Sequence, residues 1–167
     1  MATITAPLAS AEFELLNGEW IEMPSATGLH NFLVARLIRR LGDWIEDHAG
    51  GVMIPDTEFL IGESRLRPDI AVLSPEKWER SGKGVPMPEP PEIAIEIVSP
   101  SESAITVEEK IEAYLNAEVQ EVWVLYPSTG RMFIHTIKGV RRLDRTSVIE
   151  TPIAPGWSLS MAELLRS

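Results

Sequence analysis

Asp69 and Glu96 stand where acids are costly. Asp69 opens the apolar run that reads Pro68-Asp-Ile-Ala-Val-Leu-Ser74, and Glu96 sits inside Ile93-Ala-Ile-Glu-Ile-Val98. A carboxylate in a buried strand is unfavourable unless something pairs with it. By the two-residue period of a strand, Ile93, Ile95 and Ile97 share one face, and Glu92, Ala94, Glu96 and Val98 share the other. If the two strands are neighbours, Asp69 and Glu96 approach each other across the sheet. Two close carboxylates repel, and one tends to keep its proton. A divalent cation removes that conflict. Hard oxygen donors with no thiolate suggest Mg²⁺ or Mn²⁺. Lys110 is the third piece. At ~100° per residue it falls about 60° from Val107, at the edge of the apolar face made by Ala104, Val107, Ile111, Tyr114 and Leu115. From there its stem can follow the core and return the ammonium to the sheet. The charge would then lie near an attacking water or a developing phosphorane, where preorganised charge has its largest catalytic effect.

Each of these residues also has a structural reading. Asp69 is the kind of acid that follows proline in a turn. Glu96 can pair with an arginine such as Arg67, as buried carboxylates do. Lys110 can be a helix-surface lysine. Glu14 and Glu22, in or beside the opening strands, read as solvated positions, although either could approach a metal. Arg36, Arg39 and Arg40, and likewise Arg141, Arg142 and Arg145, could meet phosphate but read as solvated faces.

The elements that must position these groups follow from pattern and punctuation. Residues 1–11 read as a flexible lead-in, and residues 12–167 as one domain. "FELLNGEWIEM" reads as a hairpin turning at Asn17-Gly18. "TGLHNFLVARLIRRLGDWIEDH" is an amphipathic helix, with Leu29, Leu33, Leu37, Leu41, Trp44 and Ile45 on one arc. Thr27 or Ser25 is its N-cap, and Gly50-Gly51 ends it. "VMIPDTEFLIG" is a strand bent at Pro55, followed by "PDIAVLS". Residues 75–91 read as a long, mobile Pro/Gly-rich loop carrying Lys77, Trp78, Arg80 and Lys83. Then come the strand "EIAIEIVS", the helix "SAITVEEKIEAYLNAE", the strand "EVWVLYP", a hairpin "RMFIHTIKGVRRL" turning at Lys138-Gly139, and a short last helix "SLSMAELLR". A strand–helix–strand step with short connections implies a parallel crossover. The expected fold is an α/β domain with a mixed β-sheet.

Composition bounds the function. A chain of 167 residues is long enough for a real core. With no cysteine there are neither disulfides nor thiolate metal sites. The N-terminus does not read as a signal peptide, and no apolar run reaches the ~20 residues that span a membrane. The expected setting is the cytoplasm. A formal net charge of −10 argues against tight constitutive nucleic-acid binding, though not against a local basic patch.

In combination, "RPDIAVLS", "PPEIAIEIVSPSES" and "EEKIEAYLNAEVQEVWVLYP" resemble the Uma family of restriction-type endonucleases, within the wider PD-(D/E)xK nuclease superfamily. The resemblance runs from "FELLNGEWIEM" to "PGWSLSMAELL". It implies a restriction-endonuclease-like fold, with a mixed sheet flanked by helices and an N-terminal β-hairpin. It also implies divalent-metal-dependent hydrolysis of phosphodiester bonds in DNA. Asp69 matches the aspartate of the Pro-Asp motif and Glu96 the second acid. Both would bind metal, with the main-chain carbonyl of Ile97 as a further ligand. The superfamily lysine stands two residues after the acid. That position is Val98 here, and the resemblance passes the role to Lys110 on the following helix. His30 matches a histidine in the family's first helix and is a candidate proton-handling group. Duplex cleavage needs two scissions, so a two-fold homodimer is expected; the aromatic content near Trp123 and Phe133 reads as exposed. Two other functions share these residues: a non-catalytic regulatory or assembly module, and a hydrolase of small phosphodiesters.

Overall fold

The computed structural model describes residues 11–167. The expected lead-in up to residue 10 lies outside them. β1 (Phe13–Leu16) and β2 (Glu19–Glu22) form the expected hairpin. Between them Asn17 and Gly18 have φ of 51° and 87°, the two positive values a type I′ turn requires.

The long amphipathic segment is α1 (Gly28–Leu37), a π-helical turn (Ile38–Gly42) and α2 (Asp43–Ala49) in succession. Thr27 is the N-cap, and its hydroxyl accepts the His30 N–H at 3.1 Å. Within the π turn, the Arg40 carbonyl accepts the indole N–H of Trp157 at 2.8 Å. Leu33, Leu37, Leu41 and Ile45 are buried as expected, but Leu29 is exposed. Its turn lies beside Asp69, which precedes the strand, so Leu29 faces open space rather than the core. Gly50 takes the left-handed conformation that ends α2. A Cβ on Gly51 would stand 2.4 Å from the Leu73 carbonyl oxygen, so this approach of backbone to backbone requires glycine.

The expected bent strand is in fact two strands, β3 (Val52–Pro55) and β4 (Phe59–Ile61), in different sheets. The chain turns at Asp56, with φ of 46°, directly after Pro55. β5 (Ser64–Leu66) and β6 (Ile70–Leu73) follow. The expected mobile loop begins as a helix, α3 (Pro75–Ser81). Ser74 caps it by accepting the Lys77 N–H, and Pro75 occupies the first turn, where its missing N–H is harmless. Lys77 ties the helix to the Pro90 carbonyl at 2.7 Å and to Glu92 at 3.1 Å, and Arg80 pairs with Glu89.

β7 (Ile93–Ile97), α4 (Ala104–Asn116) and β8 (Glu121–Tyr126) form the expected crossover, with β7 and β8 parallel. β9 (Arg131–Thr136) and β10 (Gly139–Leu143) are the next hairpin. The chain closes with β11 (Val148–Ile149), β12 (Leu159–Ser160) and α5 (Met161–Leu164), the last shorter than its pattern suggests.

Six strands make the central mixed sheet in the order β10-β9-β8-β7-β6-β3, and β2-β1-β5-β4 make a second, antiparallel sheet. On one face of the central sheet, Ile70, Val72, Ile93, Ile95 and Ile97 pack under Leu33, Leu37, Leu41 and Ile45. On the other, Ala71, Leu73, Ala94, Val122 and Val124 meet Val107, Ile111 and Tyr114 of α4 and Leu16, Phe59 and Leu66 of the second sheet. Trp123, expected near the surface, is fully buried in the first of these cores. Arg36 reaches the carbonyls of Glu163 and Leu164 and lies over the Phe32 ring, while Arg40 pairs with Glu163. These two arginines therefore fasten α1 and the π turn to α5.

Candidate active site

The antiparallel register of β6 and β7 pairs Ala71 with Ala94 and Ile70 with Ile95. One step further along the same register sets Asp69 opposite Glu96. Opposed residues of an antiparallel pair point to the same face. The register therefore sets the two acids opposite each other at the end of the strand pair, and both line a cleft of about 650 Å³. Asp69 accepts the His30 Nε2 proton at Oδ1 (2.8 Å) and the main-chain N–H of Ile97 at Oδ2 (2.6 Å). His30 arrives from the first turn of α1, fixed there by the Thr27 cap. Ile97, expected to offer its carbonyl, touches Asp69 through its N–H.

Glu96 is buried and held from α4. Tyr114 donates its hydroxyl to Oε1 at 2.7 Å, and Lys110 Nζ stands 3.4 Å from Oε2. Lys110 and Tyr114 are four residues apart, one above the other on a helix face. Lys110 is not on the helix surface: it is 1% exposed. Its ammonium also lies 2.8 Å from Glu14 Oε2 and 3.7 Å from Glu102 Oε1. Arg67 does not pair with Glu96; its guanidinium lies 3.7 Å from Asp56 and 4.0 Å from Glu12.

Three further residues belong to this cluster: Glu14, for which both a solvated position and an approach to a metal are open in the sequence, and Tyr114 and Glu102, for which it offers neither. Glu14 is buried, not solvated, because β1 turns it inward beside Leu16, and its Oε1 accepts the Arg67 N–H at 2.5 Å. The available signal was the alternation Glu14-Leu15-Leu16, which puts the acid on the same side as a core leucine. Glu22 is exposed, as expected. Tyr114 was read only as an apolar contact, yet its spacing from Lys110 marked it. Glu102, in the connection before α4, had no periodic signal.

Four carboxylates, Asp69, Glu96, Glu14 and Glu102, thus face two basic groups, Lys110 and His30. Burial pushes the Glu96 carboxyl up to about 8, against the pull of Lys110 and with the help of Asp69 and Glu14. Burial also raises Glu102. Lys110 is desolvated, but the surrounding carboxylates outweigh this and hold its proton more tightly than usual. The hydrogen bond to Asp69 raises His30 above its ordinary value. Burial and the adjacent Glu96 push Tyr114 well up, so its hydroxyl stays a donor.

The donor chemistry fits a hard divalent cation. The acids supply oxygen, their negative charge exceeds the basic charge beside them, and Asp69 borders the open cleft. Among the described residues no group of three or more His, Asp or Glu side chains forms a ready-made cage. Mg²⁺ commonly uses one or two carboxylates and completes its shell with water and phosphate. Asp69 and Glu96 are the pair suited to that arrangement.

The fold is similar to that of a putative nuclease belonging to DUF820 from Anabaena variabilis, with a TM-score of 0.83 and 21% sequence identity over 92% of this chain and 89% of that one. At that identity the likeness speaks for the fold. No curated protein matches the chain. Among the described residues no helix is long and apolar enough to cross a membrane. The family model described as "putative restriction endonuclease" matches residues 7–162, nearly the whole length, and the chain belongs to that family, Uma2.

Proposed function

We propose that the protein is a divalent-metal-dependent nuclease that hydrolyses phosphodiester bonds in DNA. The observation that carries this reading is the opposition of Asp69 and Glu96 at the cleft, with more carboxylate charge than the neighbouring basic groups offset. Asp69 and Glu96 would hold Mg²⁺ or Mn²⁺, with the Ile97 carbonyl as a further oxygen donor. Such an ion supplies a polarised phosphoryl oxygen and a bound water of lowered pKa. The protein's own groups do the rest. Lys110 fixes Glu96 and provides a positive charge that needs no reorganisation during reaction. Tyr114 orients the Glu96 carboxylate through Oε1. His30 holds a proton at Nε2 against Asp69 Oδ1 and can hand it to a departing oxygen at the cleft. A two-fold dimer acting in the cytoplasm belongs to the same reading, since it would supply one site for each strand.

The test is cleavage of supercoiled plasmid, DNA oligonucleotides and small phosphodiesters with Mg²⁺ or Mn²⁺. The wild type should cut DNA, EDTA should stop it, and Asp69→Ala should lose activity by orders of magnitude. Calorimetric titration of Mn²⁺ should show binding to the wild type and little to Glu96→Gln. Equal binding by both proteins would remove Glu96 from the metal site. Preference for the small esters would replace DNA as substrate.

One observation favours a second reading, a non-catalytic regulatory or assembly module. Both oxygens of Glu96 already have partners, Tyr114 and Lys110, so the cluster could be purely structural. Full biological activity in Asp69→Ala/Glu96→Ala would support that module and defeat the nuclease.

A further inference from the structure

We infer that Arg67 is the phosphate-gripping residue of the cleft, placing the scissile ester against Asp69; this rests on the nuclease reading for the identity of the ligand. The argument begins with charge. Glu12, Glu14, Asp56, Asp69, Glu96 and Glu102 all line the cleft. A phosphodiester entering such a field is repelled unless a cation meets it. Lys110 cannot be that first contact. It is 1% exposed and is enclosed by Glu14, Glu96 and Glu102. His30 directs Nε2 to Asp69 and Nδ1 to the Asn31 side chain, so both of its ring nitrogens are engaged.

Arg67 differs from both. Its side chain is 34% exposed and lines the cleft. Its nearest acidic oxygens, on Asp56 and Glu12, stand at 3.7 and 4.0 Å, beyond hydrogen-bond reach, and both side chains are about two-thirds exposed, at 66% and 63%. Such loose, solvated pairs contribute little and yield easily to a better partner. Among the described residues the guanidinium donates no hydrogen bond, so its planar fork remains available for a phosphate.

The backbone of Arg67 is anchored where the guanidinium is not. Its N–H is bound by Glu14, the same carboxylate that contacts Lys110. Pro68 then fixes the step to Asp69, and the residues on either side of it both line the cleft. The Arg67-Pro68-Asp69 run therefore couples an anion grip to a carboxylate two residues on, with one end of the segment tied to the buried cluster. Glu12 and Asp56 flank the guanidinium without hydrogen-bonding it, so a phosphate has little to displace.

The test is equilibrium binding of a short fluorescent DNA duplex, with Ca²⁺ present and over a range of salt concentrations, to wild type, Arg67→Met and Arg67→Lys. Arg67→Met should bind about tenfold to a hundredfold more weakly, the range expected for losing a charge-assisted pair. Its salt dependence should be shallower by about one counterion. Arg67→Lys should recover the salt slope but only part of the affinity, since it keeps the charge and loses the fork. Because the Arg67 ion pairs are exposed, the melting temperatures of both variants should stay near that of the wild type. Equal binding by wild type and Arg67→Met would overturn the inference and leave the nuclease reading intact. No binding by the wild type would overturn both. Binding that depends on Arg67, with no cleavage after Mg²⁺ or Mn²⁺ is added, would uphold the grip and defeat the nuclease.

Discussion

The two faces of the central sheet use the same strands for opposite purposes. β7 gives Ile93, Ile95 and Ile97 to the face under α1 and α2, whose core is apolar except for a buried Glu121 carboxylate that accepts the Trp123 indole N–H. It gives Ala94 and Glu96 to the face under α4, where Glu96 meets Lys110 and Tyr114. The first face is held chiefly by area, since the few polar groups buried there are each already paired. The second keeps a charged cluster out of water, which is stable only while every member keeps its partners. The comparison separates stability from chemistry by one residue of alternation: the strand that closes the dry core also presents the acid. A slip of one residue in its register would exchange the two roles.

The largest effect should come from breaking the charged face. Lys110→Met strands Glu14 and Glu96 in the interior and should cost about 3–5 kcal/mol in urea unfolding. On the dry face, Leu37→Ala should cost about 2–5 kcal/mol through lost transfer and a cavity. The faces then diverge on repair. Combining Lys110→Met with Glu14→Leu and Glu96→Leu removes the unpaired charge, and it should restore most of the lost stability. A triple variant as unstable as Lys110→Met would show that the cluster acts through its packing, and the contrast between the faces would collapse.

A smaller effect isolates one bond. Tyr114→Phe keeps the ring that packs against α4's neighbours and removes the donor to Glu96 Oε1. At neutral pH, where burial keeps the Glu96 carboxyl largely protonated, the expected loss is about 0.5–1.5 kcal/mol, the range for a neutral hydrogen bond. A loss under about 0.5 kcal/mol, the low end for any hydrogen bond, would mean that Glu96 is held by Lys110 alone.

Much of the dry face was legible because it follows period. The β7 alternation and the α1–α2 arc needed only the repeats of strand and helix. The π turn left little trace, since the apolar arc runs through it. The division of "VMIPDTEFLIG" between two sheets was hidden because Pro55 suits a bend as well as an end. α3 was masked by the proline and glycine that follow it, although Ser74-Pro75-Glu76 is a sound helix start. On the charged face, Asp69, Glu96 and Lys110 announced themselves as polar residues at apolar positions, and the resemblance to a known family added His30. Glu14 had the alternation with Leu16 to turn it inward, but its meeting with Lys110 joins two elements far apart in sequence, and Glu102 lies in a connection without periodic spacing. Of the four carboxylates that converge on Lys110 and His30, the solvated expectation for Glu14 is the one the fold reverses.

The smallest expected effect asks whether proton affinity follows the cluster or merely the face. His30 and His135 are buried to a similar degree, yet they move in opposite directions. His30 is raised, chiefly by its hydrogen bond to Asp69. His135, paired with Val122 in the β8–β9 register, is lowered by burial, with Glu108 only partly opposing. The signs of their contributions to stability follow. The proton on His30 stabilises the fold fully below its unfolded value near 6.5, and that contribution fades as pH rises through the higher native value. His135 favours the neutral form, so its contribution is present above 6.5 and is lost as pH falls through its lower native value. An NMR titration of the two imidazoles should therefore place His30 above His135 in the wild type. In Asp69→Asn, burial becomes the leading influence on His30, whose midpoint should drop towards that of His135, while His135 itself should not move. Parallel shifts of both midpoints would point to a general change in the face. An unmoved His30 would remove Asp69 as the source of its raised affinity.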